Sequence, residues 1–392
     1  MTKVAFVVPW YGEKITGGAE TACRDIISHL LLANLVIEVL TTCVKEFASD
    51  WNENYYKEGL SYADNLPIRR FKVRKRDTGS FDKVNYKLIN NMYIDESEEK
   101  VFFQEMINSP ALYDYIRDNS EKYEAFIYIP YMFGTTYFGI KACPEKSILI
   151  PCLHEESYAH LSKIKEIFEI SNKIIFLAQA EKELAESLYN IKETKREVIG
   201  TGVDTEAFGR GDAFQEKYHI NSAFLLYAGR KDVGKNVEVL IDYFQKYITR
   251  NTCQLKLVLI GGGKIDIATS YKDRIIDLGF ISNEDKYDAY SAALALCQPS
   301  PHESFSIVIM ESWVCGTPVL VNEKCEVTKR FCQISNGGLY YKGYLEFEGS
   351  VNYYLTNVVI TKKIGNQGKK FVTNNYNWSV VTEKYVDFIS NQ

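Results

Sequence analysis

Four charged side chains in the second half of the chain have the types and spacing to hold a phosphate-bearing, hydroxyl-rich ligand. Arg230 and Lys235 fall in Gly229-Arg230-Lys231-Asp232-Val233-Gly234-Lys235-Asn236. Glu303 and Glu311 fall in Pro299-Ser300-Pro301-His302-Glu303-Ser304-Phe305-Ser306-Ile307-Val308-Ile309-Met310-Glu311. The glycines let backbone approach a ligand, and the two cations supply fixed positive charge beside a diphosphate. A helix is expected to begin at Ser304–Ser306, where serine can cap free amides, and to end at Gly316 with Pro318 barring its continuation. Its amino end suits a phosphate. Glu303, just before the helix, can accept hydrogen bonds from sugar hydroxyls, and Glu311, inside it, from a ribose diol. Taken singly, Glu303 also reads as a solvated loop residue, Glu311 as a salt-bridged helix residue and the basic motif as a turn. Glu311, however, stands in the apolar run Ile307–Met310, where a carboxylate without partners is costly. No Asp-x-Asp triplet occurs, so the usual carboxylate clamp for a metal–diphosphate is missing. No metal and no cofactor are expected, the cations and the helix dipole neutralising the diphosphate instead.

These residues need a scaffold that brings loops to one edge of a sheet. Short aliphatic runs alternate with helical patterns through most of the chain, from Val4–Pro9 to Thr317–Val321. Several are apolar on consecutive residues, as in a parallel sheet covered by helices on both faces. Stripes such as Cys23, Ile26, Ile27, Leu30 and Leu31 have helical spacing. The series restarts near residue 220, after a glycine-containing polar stretch. The expected fold class is therefore α/β, with two Rossmann-like domains facing each other across a cleft. The N-terminal domain is placed at residues 1–204, joined by a C-terminal helix at 377–392, and the C-terminal domain at 205–376.

In the first half, Gly17 and Gly18 follow the first strand and could bring backbone amides to the donor phosphate, or simply start a helix. His154 ends another strand and reads alone as a strand-end cap. Gly261-Gly262-Gly263 is not a complete dinucleotide fingerprint and reads as a backbone-approach loop beside the nucleotide. Arg69–Arg76 is the densest basic run. It reads as an edge strand with a solvated face, or as a contact for anionic lipid or a lipid-diphosphate acceptor.

The Arg-x4-Lys and Glu-x7-Glu motifs, the latter in a Pro-Ser-x-x-Glu-Ser-Phe-Ser context, resemble those of glycosyltransferase family 4, retaining enzymes of the GT-B fold. The resemblance runs from Val4–Pro9 and Gly17-Gly18-Ala19-Glu20 to Tyr376-Asn377-Trp378. It implies that Arg230 and Lys235 hold the diphosphate, that Glu303 faces the donor sugar and that Glu311 binds ribose. It places the backbone of Ser306, Ile307 and Val308 against sugar and phosphate, Ile281 at the base, and His154 beside the donor sugar. Ser306 stands where glycine is common, and Asn236 where glycine is usual. The implied activity is retaining, metal-independent transfer from a nucleoside-diphosphate sugar to a glycan or lipid-linked glycan, in O-antigen, capsule or other surface-polysaccharide synthesis. A non-catalytic nucleotide-sugar-binding scaffold and a GT-B-like epimerase or phosphorylase are the alternatives.

Composition sets the outer bounds. The 392 residues carry a net charge of −5, with 46% hydrophobic and 25% charged residues, which fits a globular protein and argues against a nucleic-acid partner. Nine cysteines form no C-x-x-C pair, and Cys152 with His154 makes only half a zinc site. No charged-then-apolar leader precedes Val4–Val8, and no apolar run approaches the roughly 18 residues of a membrane span. A cytoplasmic location is expected, with the basic run as the candidate for peripheral contact at the inner face of the membrane.

Overall fold

The computed structural model describes residues 3–13, 15 and 17–390. The chain divides into two compact units, residues 1–201 with 381–392, and residues 202–380. These divisions lie a few residues from the expected 204/205 and 376/377.

Unit 1 is built on β1 (Lys3–Val7), β2 (Val36–Thr42), β3 (Gly59–Ala63), β4 (Leu66–Phe71), β5 (Ala125–Tyr128), β6 (Ser147–Leu149), β7 (Lys173–Phe176) and β8 (Lys195–Val198), in the order β3-β4-β2-β1-β5-β6-β7-β8. Only β3 runs antiparallel, against β4. Unit 2 contains β9 (Phe224–Ala228), β10 (Lys256–Ile260), β11 (Ile275–Gly279), β12 (Ala295–Gln298), β13 (Val319–Asn322) and β14 (Gly338–Tyr341), all parallel, in the order β11-β10-β9-β12-β13-β14. The central strands β5, β7, β9, β12 and β13 are buried along their whole length, which is why they read as continuous apolar runs. The last helix, Trp378–Ser390, completes unit 1: Tyr385 Oη donates to Gly200 O at 3.0 Å, and Lys173 Nζ to Phe388 O at 3.0 Å.

The edge-strand reading of Arg69–Arg76 is corrected. Residues 59–63 pair with β4 and make it an interior strand, and the strand ends at Phe71. Its charges are partnered: Arg69 Nε lies 2.8 Å from Glu38 Oε1, Arg70 is buried and donates to Tyr11 O at 3.0 Å, and Arg74 meets Glu105 at 2.9 Å. β3 escapes sequence reading because its side chains are exposed or half-exposed throughout, so no buried face imposes an alternation.

Candidate functional site

Open parallel sheets bind ligands beyond the carboxyl ends of their strands, where the strand order reverses. In unit 2 that point lies between β9 and β12, since β9 is flanked by β10 on one side and β12 on the other. The loop after β9 carries Arg230 and Lys235, and the loop after β12 carries Glu303 and Ser306. Residues 68 apart in sequence thus share one crevice: Lys235 Nζ meets Glu303 Oε1 at 2.6 Å, and Asn236 Nδ2 donates to Pro299 O at 3.2 Å. Arg230 keeps a half-exposed side chain, 3.5 Å from Asp232.

The helix beginning at Ile307 runs to Val314. The expected serine cap is corrected, because Ser306 makes no side-chain capping bond. Instead its backbone is left-handed, φ 70° and ψ 75°, and Asn236 is left-handed too, at φ 58°. These are the two positions where the family pattern favours glycine, and the conformation supplies the physical reason. The amides at the start of the helix have no preceding turn to bond to, and Ile307 and Val308 there are only half-buried.

Glu311 is 8% exposed, and both its oxygens are engaged: Oε1 with Lys286 Nζ at 2.6 Å and Oε2 with Tyr290 Oη at 2.9 Å. Burial, with the Glu311 charge beside it, holds the Tyr290 hydroxyl protonated well above its ordinary range. Lys286 and Tyr290 were not singled out from sequence. Their four-residue spacing on the helix Asn283–Ala292 is legible in sequence, but the pairing with Glu311 is not. Ile281 follows β11, half-buried between exposed Phe280 and the helix-capping Ser282. The three glycines after β10 meet the β9 loop closely: a Cβ on Gly261 (φ 111°) would sit 2.2 Å from Gly229 O, and one on Gly263 (φ 92°) 2.7 Å from Lys231 O.

His154, Gly17 and Gly18 lie in unit 1. There the strand order reverses between β1 and β5, and the loops after those strands line a pocket with Trp10, Glu20, Arg24 and Pro130. Gly17 precedes the helix Gly18–Leu32. A Cβ there would run into the Glu20 carboxylate, which Trp10 Nε1 holds at 2.9 Å. His154 follows β6 with its ring partly exposed, Nδ1 3.6 Å from Glu156. Behind it the buried Glu181 carboxylate accepts from Leu153 N and Leu177 N, each at 2.6 Å, and so ties the ends of β6 and β7 together. Burial pushes the Glu181 carboxyl up to about 7. In sequence Glu181 is simply an acid in the first turn of the helix Gln179–Leu188, and nothing local marks it as buried.

Among the described residues, no group of three or more His, Cys, Asp or Glu stands together as a metal site. Seven of the nine cysteines are buried, and Cys253 and Cys315 are half-buried. No described helix is long and apolar enough to cross a membrane.

Two α/β units built on largely parallel sheets, each with motif-bearing loops at its switch point, define the GT-B class of fold. Solved structures agree over the whole chain. Sucrose-phosphate synthase from Thermosynechococcus elongatus superposes with a TM-score of 0.73 at 16% identity, covering 99% of this chain and 98% of its own. HepE of Anabaena, in complex with UDP and glucose, gives 0.69 at 15% identity over 100% of both chains. In sequence, residues 212–371 match the family described as glycosyl transferases group 1, and this supports a group 1 glycosyltransferase. An uncharacterized glycosyltransferase of Methanocaldococcus jannaschii is 26% identical over 235 residues, 55% of this chain and 59% of the relative. The chain thus spans about three-fifths of that relative's length.

Proposed function

We propose that this protein transfers a sugar from a nucleoside-diphosphate sugar to a hydroxyl of a glycan or lipid-linked glycan, with retention and without a metal. The observation that carries the reading is the Lys235–Glu303 contact at the switch point of unit 2, beside the start of the Ile307 helix. The group 1 match over the same unit supports it, as does the similarity to HepE, whose structure contains UDP and glucose.

Lys235, Arg230 and the amides of Ile307 and Val308 would neutralise the departing diphosphate. Glu303 would accept from donor-sugar hydroxyls and Glu311 from the ribose, with Lys286 and Tyr290 fixing its carboxylate. Ile281 would meet the base through its backbone. For unit 1, the resemblance of the motifs assigns phosphate contacts to the amides of Gly17 and Gly18 and a sugar contact to His154. The bond between the anomeric carbon and the diphosphate oxygen breaks, and one to the acceptor oxygen forms on the same face. The acceptor proton passes to the leaving phosphate, so no enzymic nucleophile is needed. The resemblance of the motifs extends the proposal to surface-polysaccharide assembly.

A thermal-shift panel of UDP, GDP, ADP and TDP in EDTA tests this. Stabilisation by one nucleotide with the chelator present is expected, and a response that appears only when a divalent cation is restored refutes the metal-free reading. Lys235→Met is expected to lower kcat by about 10²–10³, the effect of removing one charge-stabilising donor. A Glu303→Ala variant with full transfer activity would remove that carboxylate from the site.

A further inference from the structure

Lys231 stands between Arg230 and Asp232 in the basic loop but points the other way. Its side chain is 0% exposed, and Nζ lies 3.1 Å from Asp277 Oδ1 and also donates to Gly261 O. Its backbone N–H donates to Gly262 O at 2.7 Å. Asp277 Oδ1 in turn accepts from Gly279 N at 2.9 Å, at the left-handed turn (Gly279 φ 63°) that leads into Phe280 and Ile281. One ammonium group therefore ties together the loop after β9, the triple-glycine loop after β10 and the turn closing β11.

We infer that Lys231 is a positioning residue that couples the loop holding the diphosphate to the turn reading the base. Resting on the glycosyltransferase reading above, the inference deepens it by naming what sets the two contacts at a fixed separation. An ammonium withdrawn from water needs partners that satisfy its protons, and in a low-dielectric interior those bonds resist displacement. Gly261 and Gly263 have no room for a Cβ against Gly229 and Lys231, so the loops are packed backbone to backbone and the ammonium pins them in that register. Replacing it with methionine keeps the volume but frees the basic loop to shift against the base-reading turn. The β-phosphate then loses its fixed partners, while the base and ribose keep theirs.

The test is isothermal titration, at a temperature well below unfolding, with UDP, GDP, ADP and TDP and then with the monophosphate of whichever binds. Lys231→Met is expected to weaken the diphosphate at least tenfold and the monophosphate less than threefold, shrinking the preference for diphosphate. Asp277→Asn keeps an acceptor for Gly279 N and should shift the preference the same way by a smaller factor, which keeps the test available should Lys231→Met fail to fold. Unchanged affinities with a lowered melting temperature would reduce Lys231 to a structural role and overturn the inference. Equal losses for both nucleotides would overturn it too. Wild-type protein that binds none of UDP, GDP, ADP and TDP would refute the glycosyltransferase reading itself, and this inference with it.

Discussion

Ser306 offers a test whose sign follows from one backbone angle. At an ordinary helix start, alanine is more stable than glycine by about 0.4–1 kcal/mol, because glycine's unfolded chain is freer. At Ser306, with φ 70° and ψ 75°, a Cβ meets the following carbonyl at a cost of about 1–2 kcal/mol. Ser306→Gly and Ser306→Ala both remove the hydroxyl, and with it the weak 3.4 Å contact from Gln298 Nε2, so their difference isolates the Cβ. The two terms leave glycine ahead by roughly 0.5–1 kcal/mol. For a unit of this size that is about 1–4 °C in Tm. Ser306→Val, branched at Cβ, should fall below alanine. Scanning calorimetry of the three variants reads the order directly, following the transition of unit 2. Because the same turn presents the amides of Ile307 and Val308, the glycine variant should also keep nucleotide affinity while valine loses it. If alanine proves as stable as glycine or more so, the left-handed start of this helix is wrong, and so is the explanation of why glycine is common there.

Two further outcomes follow from Glu181 and Gly261. Glu181 has a carboxyl raised from 4.5 to about 7 by burial, so between those values the folded state keeps a proton that the unfolded chain has released. Its contribution is full below about pH 4.5 and falls as pH rises toward 7, by about 3 kcal/mol in all. Urea denaturation of Glu181→Gln at pH 5 and pH 8 should show stability declining less with pH than in the wild type, and an identical pH dependence would refute the assignment. Gly261→Ala would place a Cβ 2.2 Å from Gly229 O at φ 111°. It should destabilise unit 2 by about 3 kcal/mol or more, visible as a lowered Tm or loss of soluble protein.

Much of the scaffold was legible because burial on both faces writes itself into sequence. Strands such as Phe224–Ala228, and Lys256–Ile260 from Leu257 onward, are apolar residue after residue, and glycine and polar clusters separate them from amphipathic helices such as Val237–Arg250. The candidate donor motifs were legible too, since a short loop between strand and helix keeps Arg230 near Lys235 and Glu303 near Ser306 whatever the rest of the fold does. Where neither condition held, the sequence was silent. β3, with no buried face, left no periodicity, and its absence made β4 look like an edge.

Contacts between distant segments were decided by the tertiary structure alone. Lys286 and Tyr290 close on Glu311, Lys231 reaches Asp277, and Glu181 bonds the amides of Leu153 and Leu177. Local composition sets which residues can carry charge or hydrogen bonds. Which of them meet depends on strand order, and strand order is a property of the folded chain, with no local signature in its residues.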